Sequence, residues 1–174
     1  PKTPLQKMIN QGKMQDVNAD KQSEQFLLLM DWLDKAGYEH YEISNFAKPG
    51  YRSRHNSSYW SGKNYLGLGP SAHSYNGVSR QWNVSNNAIY IESLSKGIRP
   101  FEKEMLSETE KLNEYIMTSL RTIEGTALIM LDEKKKLELI HKSKKYIELG
   151  LLTDKKNHLK LTRKGKLFAD GIAA

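Results

Sequence analysis

The stretch "DKQSEQFLLLMDWLDKAGYEHYEISNFAKPG", Asp20 to Gly50, decides the fold class. Phe26, Leu29, Met30, Leu33 and Ala36 recur at helical spacing, and Gly37 follows as a stop. Asn18 or Asp20 can cap the start by accepting from the free backbone donors of the first turn. The next residues, "YEHYEISNFA", are rich in Tyr, Ile and Phe and close on Pro49-Gly50, which predicts one short strand running into a loop. A helix joined tightly to a strand is half of an α/β unit, so the expected class is α/β (α+β).

Downstream of this unit, residues 50–64 are polar and aromatic, with room for a helical turn or two. "YLGLG" (65–69) reads as a second short strand followed by a small-residue turn, and "SRQWNV" (79–84) as a third. Ser85 to Lys96 reads as a helix stopped by Gly97, and Arg99-Pro100 opens a connection. Ser107 and Glu110 stand at capping-box spacing ahead of a stripe formed by Leu112, Tyr115, Ile116 and Leu120. Leu137, Ile140, Tyr146, Ile147 and Leu149 mark an amphipathic helix ended by Gly150. "LLTDKKNHLKL" then reads as a hairpin with Leu159 and Leu161 inward, and Thr162 caps a last basic helix carrying Leu167 and Phe168. Helix, two-stranded wing and helix make a winged-helix-like module. The change of character places a boundary near residues 76–85, giving domains 1–80 and 81–174.

The chain has 174 residues, a net charge of +7 and no cysteine. It therefore brings no disulfide and no thiolate ligand for zinc or an iron–sulfur cluster. No apolar run is long enough for a transmembrane segment, and a cytoplasmic protein is expected. The opening "PKTPLQKM" has no initiator Met, which suggests a piece of a longer protein. Basic charge collects after residue 133, and phosphate neutralisation by Lys134, Lys135, Lys136, Lys142, Lys144, Lys145, Arg163 and Lys164 would suit DNA. Against that, Asp132, Glu133, Glu138 and Glu148 interleave with the lysines at pairing distance, and no row of Arg, Asn or Gln is placed to read base edges. No specific nucleic-acid partner is expected.

The chemistry concentrates in "RSRHNSSYWSGKNYLGLGPSAHSY", Arg52 to Tyr75. Gly67 and Gly69 could let backbone approach a phosphate or cofactor, or could simply allow tight packing; the third glycine of a dinucleotide fingerprint is missing. His55 has two readings. A lone histidine is commonly structural, donating to a carbonyl; it can also ligate haem iron. With Tyr59 and Trp60 one helical turn further on, one nitrogen ligand beside flat rings suits a planar macrocycle better than zinc. His40, His73, His141 and His158 carry weaker signals.

"GYEHYEISNFAKPGYRSRHNSSYW", followed by "YLGLGPSAHSY" and "QWNV", resembles the C-terminal half of the HemW/HemN group of radical S-adenosylmethionine (SAM) proteins, and the resemblance runs from "PKTPL" to "LTRKGKLFADGI". It implies the end of a partial (β/α)6 barrel followed by a small helical, winged-helix-like C-terminal domain. The His-Asn-x-x-Tyr-Trp pattern (His55, Asn56, Tyr59, Trp60) resembles the HemW branch, where it is associated with haem binding. The resemblance implies His55 as axial ligand to haem iron, Tyr59 and Trp60 as its surround, and haem-acceptor proteins as partners. The alternative it offers is an oxygen-independent coproporphyrinogen III oxidase. SAM and a [4Fe–4S] cluster are implied for the full-length protein, the three cluster cysteines being absent from this chain. By the same resemblance, Ala47 in "NFAKP" would contact SAM through its backbone.

Overall fold

The computed structural model describes residues 3–173. Helices and small antiparallel sheets are mixed along the chain, so the class is α/β as expected. Thr3 caps α1 (Pro4–Asn10), and Asn18 caps α2 (Ala19–Lys35), whose Asn18 Oδ1 accepts from the Lys21 N–H at 2.9 Å. Met30 is buried and Phe26 and Leu33 are half-buried, while Leu29 and Ala36 face outward with Leu28 and Trp32. The inward stripe is therefore narrower than the hydropathy pattern predicted.

The single strand expected over 38–47 is a hairpin: β1 (Glu39–Glu42) turns into β2 (Asn45–Ala47), pairing Glu39 with Ala47 and His40 with Phe46. The cause is a side chain. The Glu42 carboxylate accepts from the Ser44 N–H at 3.0 Å and from the Asn45 amide, folding the chain over Ile43 and Ser44. β1 also reaches the C-terminal part of the molecule. The Ile43 N–H donates to the Arg121 carbonyl and the Ile123 N–H to the Tyr41 carbonyl, each at 3.1 Å.

After α3 (Arg54–Trp60), the expected strand at "YLGLG" is absent; a lone bridge joins Tyr65 to Tyr75. This segment serves packing. A Cβ on Gly67 would lie 2.1 Å from the His73 carbonyl oxygen, and Asn83 Nδ2 donates to the Gly69 carbonyl at 2.9 Å. Next come β3 (His73–Tyr75), β4 (Ser79–Asn83), α4 (Asn87–Ser95) and β5 (Phe101–Met105). The three strands form one sheet in the order β3-β4-β5, in which Arg80 pairs with Tyr75 on one side and Glu104 on the other. This sheet runs across residues 80 and 81.

The capping box holds: Ser107 Oγ accepts from the Glu110 N–H, and the Glu110 carboxylate accepts from the Ser107 N–H at 2.7 Å, starting α5 (Glu108–Leu120). α6 (Glu133–Glu148) packs through Leu139, Ile140, Tyr146 and Ile147, with the buried Ser143 at the middle of the stripe. Leu137 and Leu149, expected inward, face solvent; the pattern had skipped Ser143 because it is polar. The hairpin is β7 (Leu152–Lys155) and β8 (His158–Leu161), turning through Lys156 and Asn157 at positive φ. It gains a third strand, β6 (Thr126–Ala127), in the order β6-β8-β7. The helix expected after Thr162 is a 3-10 turn, Gly165–Phe168, running into α7 (Ala169–Ala173). Leu120, Leu128, Leu152 and Leu159 form the core of this winged module. Among the described residues every paired strand is antiparallel and no barrel closes.

Candidate functional site

α3 organises the site. Ser53 caps it, accepting from the Asn56 N–H, and its seven residues place His55 and Tyr59 four apart on one face. The rings meet edge to face, with centroids 5.1 Å apart and planes at 89°. The row continues to Tyr65 at 4.7 Å and on to Tyr75 at 6.1 Å. His55 is exposed, and its ring makes no hydrogen bond among the described residues. Trp60 does not share this face. Five residues beyond His55, it is turned about 140° around the helix. The Arg121 guanidinium lies 5.0 Å from its ring centroid, and its Nε1–H is buried without an acceptor among the described residues.

The flank of α3 about 100° around from His55 borders a cavity of about 600 Å³, with Arg54, Ser57, Ser58 and Ser61 on the near side and Tyr115, Ser119 and Gly125 across from them. The spacing 54, 57, 58, 61 is one helical face. A second cavity, about 410 Å³, is lined by Tyr59, Tyr65, Tyr75, Tyr115 and Met130. Trp60 and Ser61 border both. Tyr115 is fixed there because its hydroxyl donates to the Ala127 carbonyl at 3.2 Å and accepts the Ala127 N–H at 3.1 Å; burial raises its pKa.

Two arginines organise the ion pairs nearby. Arg52 grips Glu39 through two bonds of 2.6 and 2.7 Å and also reaches Glu124, above the Tyr41 ring. The Arg52 hydrogen bond lowers the Glu39 pKa, and the two carboxylates raise that of Arg52. Glu42 is buried against Arg121 Nε at 3.0 Å, and Arg121 Nη1 reaches Asp170 at 2.9 Å. Ala47 is buried at the end of β2, opposite Glu39.

His40, which carried little weight in the sequence, is a half-buried imidazole with both ring nitrogens engaged. Its Nε2 donates to the Ile43 carbonyl at 2.9 Å, so Nδ1 is left to accept from Lys166 Nζ at 2.8 Å. Phe46 stacks on it at 4.0 Å and Phe26 meets it edge-on. Burial holds its pKa below the ordinary value of 6.5; the Ile43 carbonyl opposes this, Lys166 and Arg163 add to it, and Glu42 opposes it. Unfolded chains then bind more protons than folded ones as pH falls from about 6.5 toward the lowered value, so stability is lost in that window. Melting temperature is expected to drop between pH 7 and 5 by more in the wild type than in His40→Gln, which does not titrate; parallel curves would contradict this. No local motif signals the pairing of His40 with Lys166 or of Glu42 with Arg121, since these partners lie 126 and 79 residues apart. A charged residue inside the apolar run "YEISNFA" was the one available hint.

On α6 the lysines pair as their spacing allows, Lys135 with Asp132, Lys136 with Glu133 and Lys142 with Glu138. Among the described residues no helix is long and apolar enough to cross a membrane.

Residues 106–168 match the HemN C-terminal domain family. The heme chaperone HemW of Bacillus subtilis (strain 168) is 30% identical over 99% of this chain and 47% of its own length. That of Mycobacterium tuberculosis (strain CDC 1551 / Oshkosh) is 32% identical over 98% of this chain and 43% of its own. The chain thus spans a little under half the length of these curated relatives. Its fold also matches the solved coproporphyrinogen III oxidase (HemN) from Escherichia coli, described as a radical SAM enzyme. The TM-score is 0.63 at 17% identity, over 83% of this chain and 38% of that one.

Proposed function

This chain is a homologue of the HemW/HemN group of radical SAM proteins over nearly its whole length, and from that kinship we propose that it is the haem-holding portion of a HemW-like protein that binds haem and passes it to acceptor proteins in the cytoplasm. The observation carrying this reading is His55. Its imidazole is exposed, free of hydrogen bonds among the described residues and set edge to face with Tyr59. One neutral imidazole nitrogen is what an axial ligand to haem iron requires. His40, spent on a carbonyl and an ammonium group, cannot offer the same. Tyr59 and the tyrosines behind it supply the flat apolar surround; Trp60 contributes from the cavity wall rather than beside the ligand.

SAM and the [4Fe–4S] cluster belong in this reading to the full-length protein, because no thiolate comes from this chain. Ala47, small and buried at a strand's end, is the proposed backbone contact to SAM. The oxidase alternative has the fold likeness at 17% identity and the C-terminal domain match behind it, and fold does not carry chemistry. Titrating haemin into the full-length protein tests the proposal. A saturable Soret shift is expected in the wild type, with affinity reduced at least about tenfold in His55→Ala, the loss of one metal–ligand bond. An unchanged spectrum and affinity in His55→Ala would overturn it.

A further inference from the structure

The 600 Å³ cavity on the serine-lined side of α3 falls within the size range of small-ligand sites, roughly 300–1,000 Å³. Its charge is lopsided. Four charged groups border it: Arg52, Arg54, Lys63 and Glu124. Arg52 and Glu124 satisfy each other at 2.6 Å, with Glu39 completing the pairing. Arg54 and Lys63 make no ion pair among the described residues. Trp60, on the same wall, carries a buried Nε1–H without an acceptor among the described residues. That atom has no solvent-accessible surface, so it belongs to the wall and not to the binding surface. Two cations without an ion pair among the described residues, beside the aromatic rings of Tyr41, Trp60 and Tyr115, describe a receptor for an anion attached to a flat apolar body.

We propose that this cavity takes a carboxylate of a planar, dicarboxylic porphyrin, with Arg54 and Lys63 as its charged anchors; this deepens the haem reading and rests on it. Arg54 is the chain neighbour of His55, and successive residues project about 100° apart around a helix. A macrocycle whose centre is held on the His55 face therefore carries its edge to the flank where Arg54 stands. Arg54 can hold a carboxylate through two parallel N–H donors, and Lys63 adds a point charge. The ring centre and the ring edge are then read by different residues, and the two roles can be separated.

The test uses the full-length protein and two probes, haemin and a metal-free porphyrin that keeps both carboxylates. The metal-free probe has no iron for His55, so its binding is expected to be indifferent to His55→Ala. The double variant Arg54→Gln/Lys63→Gln is expected to bind both probes at least about tenfold more weakly, and Arg54→Lys/Lys63→Arg to recover most of the loss. The dimethyl ester of the metal-free porphyrin should bind as weakly to the wild type as the diacid does to the double variant. Unchanged binding of the metal-free diacid by a folded double variant, or equal binding of diacid and ester, would overturn the carboxylate receptor and leave His55 untouched. Haemin binding that depends on the two cations but not on His55 would instead overturn the axial-ligand reading and keep the receptor.

Discussion

Replacing Glu42 by alanine is expected to destabilise the fold by about 3 kcal/mol, the lower part of the range for breaking a buried ion pair. The Glu42 side chain has no exposure, while that of Arg121 is 21% exposed. Removing the carboxylate leaves the guanidinium with the outlying Asp170 as its one ion-pair partner among the described residues, and it takes acceptors from the Ser44 N–H and the Asn45 amide. The β1–β2 turn is built on those bonds, so the hairpin should loosen together with its junction to residues 121–123. Urea denaturation measures the loss. The double variant Glu42→Leu/Arg121→Met is expected to regain much of it, because an apolar pair of similar volume removes the stranded charge. A Glu42→Ala protein within about 0.5 kcal/mol of wild type, the range for ordinary surface substitutions, would show that the pair does not hold the junction.

Gly125→Ala is expected to cost about as much, for a different reason. Gly125 has a φ of +72°, and a Cβ built there would stand 2.3 Å from the Leu159 carbonyl oxygen, inside the β6–β8 contact. Left-handed backbone costs an L-residue about 1–2 kcal/mol, and overpacking a tight site about 1–3 kcal/mol more. Gly97 supplies the control: it has the same φ of +72°, with nothing within 4 Å of a Cβ. Gly97→Ala should lose only the backbone part, about 1–2 kcal/mol. Equal losses at the two positions in the same denaturation experiment would mean that the β6–β8 approach gives way freely.

The contrast between local and distant signals explains which parts of this architecture were readable beforehand. The capping residues of α2 and α5 act on backbone three residues away, so Asn18 stood as one of two candidates and the Ser107–Glu110 box could be read directly. The β7–β8 hairpin was legible for the same reason, its turn residues standing between alternating leucines. β5 was not: "FEKEM" is exposed along its whole length and has no alternation to detect. The β1–β2 turn hid because its organiser is the Glu42 side chain, whose main partner Arg121 is 79 residues away. At the site, spacing of four placed Tyr59 beside His55 correctly. Spacing of five turned Trp60 toward Arg121 and the cavity wall, a difference that a loose count of one helical turn conceals. The pairing of Arg52 with Glu124, which leaves Arg54 and Lys63 as the cavity cations without an ion pair among the described residues, depends on tertiary contact and had no sequence signature.

The proposed role of His55 is tested most directly by observing the imidazoles themselves. The chain has five histidines, and nitrogen-15 labelling of their rings makes each an independent reporter in a heteronuclear NMR spectrum. On addition of ferric haem, only the His55 ring is expected to acquire the large paramagnetic shift of an iron ligand. His40 should keep the position set by its bonds to Ile43 and Lys166. A ligand shift at His73, His141 or His158, or at none of the five, would contradict the assignment.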